Sequence, residues 1–114
     1  MTVAQRFLFM TSEQKRIAIA EACGWKREFD GNHEEPEWYW IPPNDPDGDG
    51  ELPDYLNDLN AMHEAEKMLT PLQWFDYSAL LTKIVGPKDQ EYYLNLHATA
   101  AERAEAFGLT LQLW

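Results

Sequence analysis

The residues best equipped for chemistry in this sequence are carboxylates. Thirteen of its twenty Asp and Glu lie between Glu28 and Glu66, and no Lys or Arg interrupts them. A block of this kind repels itself, so a stable fold either spreads it over solvent or presents it to a cationic partner. Aromatic side chains, which are enriched where proteins meet, are interleaved with it at Trp38, Tyr39, Trp40 and Tyr55. Two readings follow. One is a solvated, solubilising surface. The other is an acidic and aromatic docking surface carried by Glu34, Glu35, Glu37, Trp38, Tyr39, Asp45, Asp47, Asp49, Glu51, Asp54, Tyr55 and Asp58.

Other constellations are weaker. Asp45-Pro-Asp-Gly-Asp-Gly50 opens like a calcium loop, with Asp45, Asp47 and Asp49 at the first, third and fifth positions. The position that should supply the bidentate Glu is Leu56, so the expectation is an acidic turn with at most weak calcium binding and no resident metal or cofactor. His33, His63 and His97 are scattered, and none has a second His four residues on, as a zinc hydrolase helix requires. Cys23 falls at the end of an expected helix, where the helix dipole disfavours a thiolate, so it reads as a packing residue and not a nucleophile. No glycine-rich phosphate loop, serine elbow or dinucleotide fingerprint occurs. A non-enzymatic protein is expected.

Composition narrows the class further. At 114 residues the chain builds one domain, and with 45% hydrophobic residues and five Trp it is not a disordered acidic tail. A formal charge of −11 opposes binding to nucleic-acid phosphates or anionic membranes. One cysteine rules out an internal disulfide framework. No apolar run is long enough to span a bilayer or form a secretory signal, so a cytoplasmic protein is expected.

The elements that must position these residues are legible in part. Thr11-Ser-Glu-Gln14, Thr70-Pro-Leu-Gln73 and Thr99-Ala-Ala-Glu102 are capping boxes that start helices. The first helix should stop at Gly24, with Trp25 folded over its end. Residues 1–11 read as an N-terminal arm and residues 12–114 as the domain. Residues 30–36 read as a turn, Glu37–Ile41 as a strand, and the proline-rich stretch from Pro42 as a loop. A helix is expected from Asn57 to Leu69, with Leu56, Leu59, Met62 and Leu69 inward and Asp58, Glu64 and Glu66 outward. The Thr70 helix should end at Gly86-Pro87. Glu91–Leu96 reads as a second strand, and the last helix contains Gly108 as a weak point. The sum is a single α+β domain: a small antiparallel or mixed sheet packed between helices.

Four stretches in this order carry a family resemblance: Ile19-Ala-Glu-Ala-Cys-Gly-Trp25, Trp40 before its proline-rich turn, Leu52-Pro-Asp-Tyr-Leu-Asn-Asp-Leu-Asn-Ala-Met-His-Glu-Ala-Glu-Lys67 with Trp74 beyond it, and Ala98-Thr-Ala-Ala-Glu-Arg-Ala-Glu-Ala-Phe107. Together they resemble the phage ABA-sandwich domain, a group of small phage and prophage proteins, over roughly residues 12–114. The resemblance implies a sheet sandwiched between helical layers and carries no catalytic residues across. It also implies a phage-encoded protein acting in the bacterial cytoplasm. The leading expectation is a binding protein that inhibits a host factor with a basic surface, such as a defence nuclease complex, in the manner of an anti-CRISPR. Its carboxylates would replace phosphates there. The alternative is a small-ligand binder, such as an oligomeric sponge for a nucleotide immune signal, using Arg103, Lys83 and Tyr93.

Overall fold

The computed structural model describes residues 10–31, 37–45, 50–86 and 98–114. In chain order these form helix α1 (Ser12–Ala22), strands β1 (Lys26–Asp30) and β2 (Glu37–Ile41), and helices α2 (Leu59–Glu66), α3 (Pro71–Val85) and α4 (Ala100–Thr110). Four helices with a two-stranded antiparallel sheet make the expected α+β domain. The strand expected at Glu91–Leu96 lies outside the described residues.

All three capping boxes form. Thr11, Thr70 and Thr99 each accept a hydrogen bond from the backbone N–H three residues on, and the Gln14, Gln73 and Glu102 side chains return the contact to the cap residue's own N–H. Each cap satisfies backbone donors that the helix cannot, worth about 1 kcal/mol. Thr11 is therefore part of the domain, and Met10 packs against the core. At the other end of α1, Gly24 takes a left-handed φ of +96°. The N–H groups of Trp25 and Gly24 bond back to the carbonyls of Ala20 and Glu21 at 3.0 and 3.1 Å, a Schellman closure. This turn feeds the chain directly into β1.

Strand β1, which the sequence reading leaves unassigned apart from placing Asp30 in a turn, pairs with β2 in the register Lys26 to Ile41, Arg27 to Trp40, Glu28 to Tyr39, Phe29 to Trp38 and Asp30 to Glu37. Helix α2 is shorter than its sequence pattern suggests. Asp58 is not an outward helical residue but the N-cap, accepting from the Asn60 N–H at 3.0 Å. The buried face of the helix runs through Ala61, Met62, Ala65 and Glu66. Leu59, expected inside, is exposed, and Glu66, expected outside, is 3% exposed.

Glu66 reaches the core through α4, which every other helix contacts. Its Oε2 accepts from Arg103 Nη1 at 3.0 Å and from the Tyr77 hydroxyl at 2.6 Å, and its Oε1 lies 2.8 Å from His63 Nδ1. Arg103 Nε also donates to the Ala98 carbonyl at 3.2 Å. One ion pair thus ties α2 to α4, with α3 joined through Tyr77. Burial and the adjacent carboxylate raise the Tyr77 hydroxyl far above the ordinary phenol value, so it stays a donor. Around this polar centre the largest fully buried side chains are Tyr77, Phe107, Ile19, Met62 and Leu81.

Gly108 does not weaken α4, which continues to Thr110. A second Schellman closure follows it: the N–H groups of Leu113 and Gln112 bond the carbonyls of Gly108 and Leu109. Gln112 takes the left-handed position, with φ 57°. The reversal lays Trp114 on Gly108, where an added Cβ would fall 2.0 Å from the indole ring.

Arg103→Met should cost about 3–5 kcal/mol in urea denaturation, because the Glu66 charge is left buried without its partner, and adding Glu66→Met should recover most of that loss. Gly108→Ala should cost about 1–3 kcal/mol from overpacking, and far less in a Trp114→Ala background.

Candidate acidic and aromatic interface

The pairing of β1 with β2 sorts the ribbon's side chains into two faces, since neighbours along a strand alternate. Arg27, Phe29, Trp38 and Trp40 share one face. The Arg27 guanidinium lies 4.9 Å from the Trp38 ring and 5.8 Å from Trp40, and Phe29 meets Trp38 at 5.2 Å between centroids. Trp40 packs toward the core, while Phe29 and Trp38 are 52% and 56% exposed. Ion–quadrupole contact with Arg27 and the tilted ring pair hold these aromatics in place without covering them. On the other face the Tyr39 hydroxyl donates to Glu28 at 3.0 Å, and that carboxylate holds the phenol above its ordinary value.

The segment after the proline-rich loop runs beside this ribbon. The Gly50 N–H bonds the Trp40 carbonyl at 3.2 Å, and Arg16 on α1 donates to the backbone carbonyls of Leu52 and Pro53. Arg16 also pairs with Glu13 at 3.2 Å. Between these parts lies a cleft of about 510 Å³ walled by the aromatics Trp38, Tyr39 and Trp40, by the acids Glu13 and Glu51, and by Arg16, whose charge Glu13 meets. Across the Glu13–Arg16 ridge lies a second hollow of about 500 Å³ that includes Asp54 and Asn57. The arrangement is a negatively charged, partly aromatic concavity. Chemically it suits a cationic group, which gains both from the carboxylates and from the indole faces.

The structure brings together part of the expected surface. Glu37, Trp38, Asp45, Glu51, Asp54 and Asp58 are exposed, and Tyr39 is half-buried. Asp54 accepts from the Asn57 amide at 3.2 Å. Glu34, Glu35, Asp47 and Asp49 lie outside the described residues, and with them two ligands of the possible calcium loop. Among the described residues no group of three or more His, Cys, Asp or Glu is gathered to hold a metal. Glu13 belongs to the surface but was missed, because it sits on α1, far in sequence from the acidic block.

Tyr55 corrects the sequence reading. It is 3% exposed and belongs to the core cluster, so it offers a partner nothing. Its hydroxyl is hydrogen-bonded to Cys23 and raised well above the ordinary phenol value by burial and that neighbour. Of the residues of the alternative ligand pocket, Arg103 is buried against Glu66 and Lys83 is exposed on α3, while Tyr93 lies outside the described residues. No helix among the described residues is long and apolar enough to cross a membrane.

Compared with known protein families, curated proteins and solved structures, the chain matches none.

Cys23, at the C-cap of α1, packs against that core, and burial pushes its thiol from an ordinary value of 9.0 up to about 11. Alkylation at pH 8 should accordingly run about a hundredfold slower in the folded protein than in urea, through the smaller thiolate fraction alone. The linkage has a definite sign. Above the ordinary value the unfolded chain loses this proton while the folded chain keeps it, so stability should decline between about pH 9 and pH 11, and Cys23→Ala should flatten that decline in a pH series of denaturation curves.

Proposed function

We propose that this chain is a non-enzymatic binding protein that docks a basic protein surface on its acidic and aromatic face. The observation that carries this reading is the cleft in which Trp38, Tyr39 and Trp40 meet Glu13 and Glu51, with Trp38 held exposed by Arg27 and Phe29. Exposed large aromatics beside Glu51, a carboxylate that keeps the cleft net negative although Glu13 is paired with Arg16, match the composition of an interface whose partner supplies Arg or Lys. A solvated acidic surface needs no ordered, exposed tryptophan.

The class of partner follows from the charge pattern. Exposed carboxylates at Glu37, Glu51, Asp54 and Asp58, all from the stretch without a positive residue, can occupy a groove that otherwise holds phosphates. The resemblance to the phage ABA-sandwich domain suggests where such a groove is met: a nucleic-acid-binding host protein in the bacterial cytoplasm, with a defence nuclease complex as the first to try. In that role the protein would inhibit by occupying the groove.

Titration with an arginine-rich peptide, followed by competition on purified defence nuclease complexes, tests the proposal. Affinity should fall at least about tenfold between 50 and 500 mM salt. Trp38→Ala should lose about tenfold or more while leaving the urea midpoint unchanged. Reversing Glu37, Glu51 and Asp54 to Lys should abolish binding. Salt-indifferent association, or a Trp38→Ala variant that binds as tightly as the parent, would sink the idea.

A further inference from the structure

A second exposed apolar surface lies away from the acidic cleft, on α3. Tyr77 and Leu81 turn one side of this helix into the core. On the opposite side Leu72, Phe75, Ala79 and Thr82 form a stripe with the alternating three- and four-residue spacing of a helix-pairing seam. Leu72 and Phe75 are 74% and 75% exposed, an unusual fate for side chains of this size. The stripe is uneven in shape. Its first half is bulky, and its second half is small and ends at Gly86, where an added Cβ would meet nothing within 4 Å. A hollow of about 430 Å³ lies along Phe75, Ser78, Ala79 and Thr82. The Thr82 hydroxyl donates to the Ser78 carbonyl at 2.9 Å, so it needs no partner in that hollow.

We propose that a second copy of this chain docks on this stripe, the two α3 helices pairing antiparallel about a two-fold axis level with Ala79 and Leu80. Two independent features of the helix select this occupant. The first is shape: the two-fold sets the bulky half of each stripe against the small half of the other, so each Phe75 enters between Thr82 and Gly86 of the second copy. The second is charge. Asp76 and Lys83 are the charged residues of α3, both exposed, seven residues apart and so on the same edge of the stripe. In an antiparallel pair equal edges meet, and an axis midway between positions 76 and 83 puts each Asp76 level with Lys83 of the second copy. The rest of the chain is strongly acidic and repels its own copy, but α3 is electrically balanced. A self-complementary patch of this kind closes at two subunits. A contact confined to one pair of helices, each about 22 Å long, falls at the small end of specific interfaces, so association should be weak and concentration-dependent.

Sedimentation velocity on the full chain from about 1 to 300 µM reads this directly, because weak interfaces of this size populate over that range. The apparent mass should rise from 13.3 kDa toward twice that value and no further. Phe75→Glu, at a side chain that contributes little to the core, should raise the dissociation constant at least about tenfold with an unchanged thermal melt. Asp76→Lys and Lys83→Asp should each weaken the dimer, and the two together should restore it to within about threefold. A chain monomeric at every concentration, a dimer indifferent to Phe75→Glu, or growth past two copies would overturn the proposal. So would a double charge reversal no stronger than the single ones, which would reject the antiparallel register. None of these outcomes depends on whether the acidic cleft binds a basic partner.

Discussion

The contact on which the rest of this structure depends is the buried pair of Glu66 and Arg103. Both side chains are 5% exposed, and the 3.0 Å contact between them joins α2 to the helix that all the others touch. An ion taken out of water is tolerated only when its charge and hydrogen bonds are met on the spot. Here Tyr77, His63 and the Ala98 carbonyl complete the set, and among the described residues no buried side-chain nitrogen or oxygen is left without a partner. Such a centre is a demanding one. Apolar helices can slide against each other with little penalty, but a carboxylate that must meet a guanidinium and a phenol accepts one arrangement of three helices. The packing of Met62, Tyr77, Leu81 and Phe107 is referred to that arrangement.

Local chemistry made some of this readable from sequence, and non-local chemistry hid the remainder. Three helix starts were legible because a capping box needs only four consecutive residues to agree. The end of α1 at Gly24 was legible for the same reason, and so was β2, whose Trp-Tyr-Trp run favours a pleated surface. Strand β1 was not, since Lys26-Arg-Glu-Phe-Asp30 has no apolar alternation and a single strong strand former, Phe29. It is a strand because β2 lies beside it. Glu66 was misplaced because its charge argued for solvent, although its position, four residues after Met62 and three before Leu69, is on the buried face. Nothing near Glu66 in sequence announces Arg103, which is 37 positions away. The role of Gly108 was inverted for a similar reason: its neighbour Trp114 arrives only after the chain has reversed.

The acidic surface shows the same division. The block itself was plain in the sequence, and its exposed members stand where a partner can reach them. Two of its features required the fold. Glu13 joins from α1, and Tyr55 leaves for the core. Arg16 is the device behind both cleft walls. By donating to the carbonyls of Leu52 and Pro53 it fastens the acidic segment to α1, so carboxylates from separate parts of the chain line one concavity. A cation within an acidic surface is here a strap and not a ligand site.

The ribbon of β1 and β2 has a consequence for how the protein behaves in crowded solution. Among the described residues it has just two strands, with Phe29 and Trp38 open to water. Two-stranded ribbons with uncovered aromatics are templates for edge-to-edge pairing, the first step toward precipitation. Glu28, Asp30 and Glu37 outnumber Lys26 on the opposite face along the same pairs, so a second copy that adds to the ribbon must bring its own carboxylates against them. The negative charge therefore acts as a gatekeeper: it lets the protein display tryptophan on a strand without the strand recruiting its neighbours.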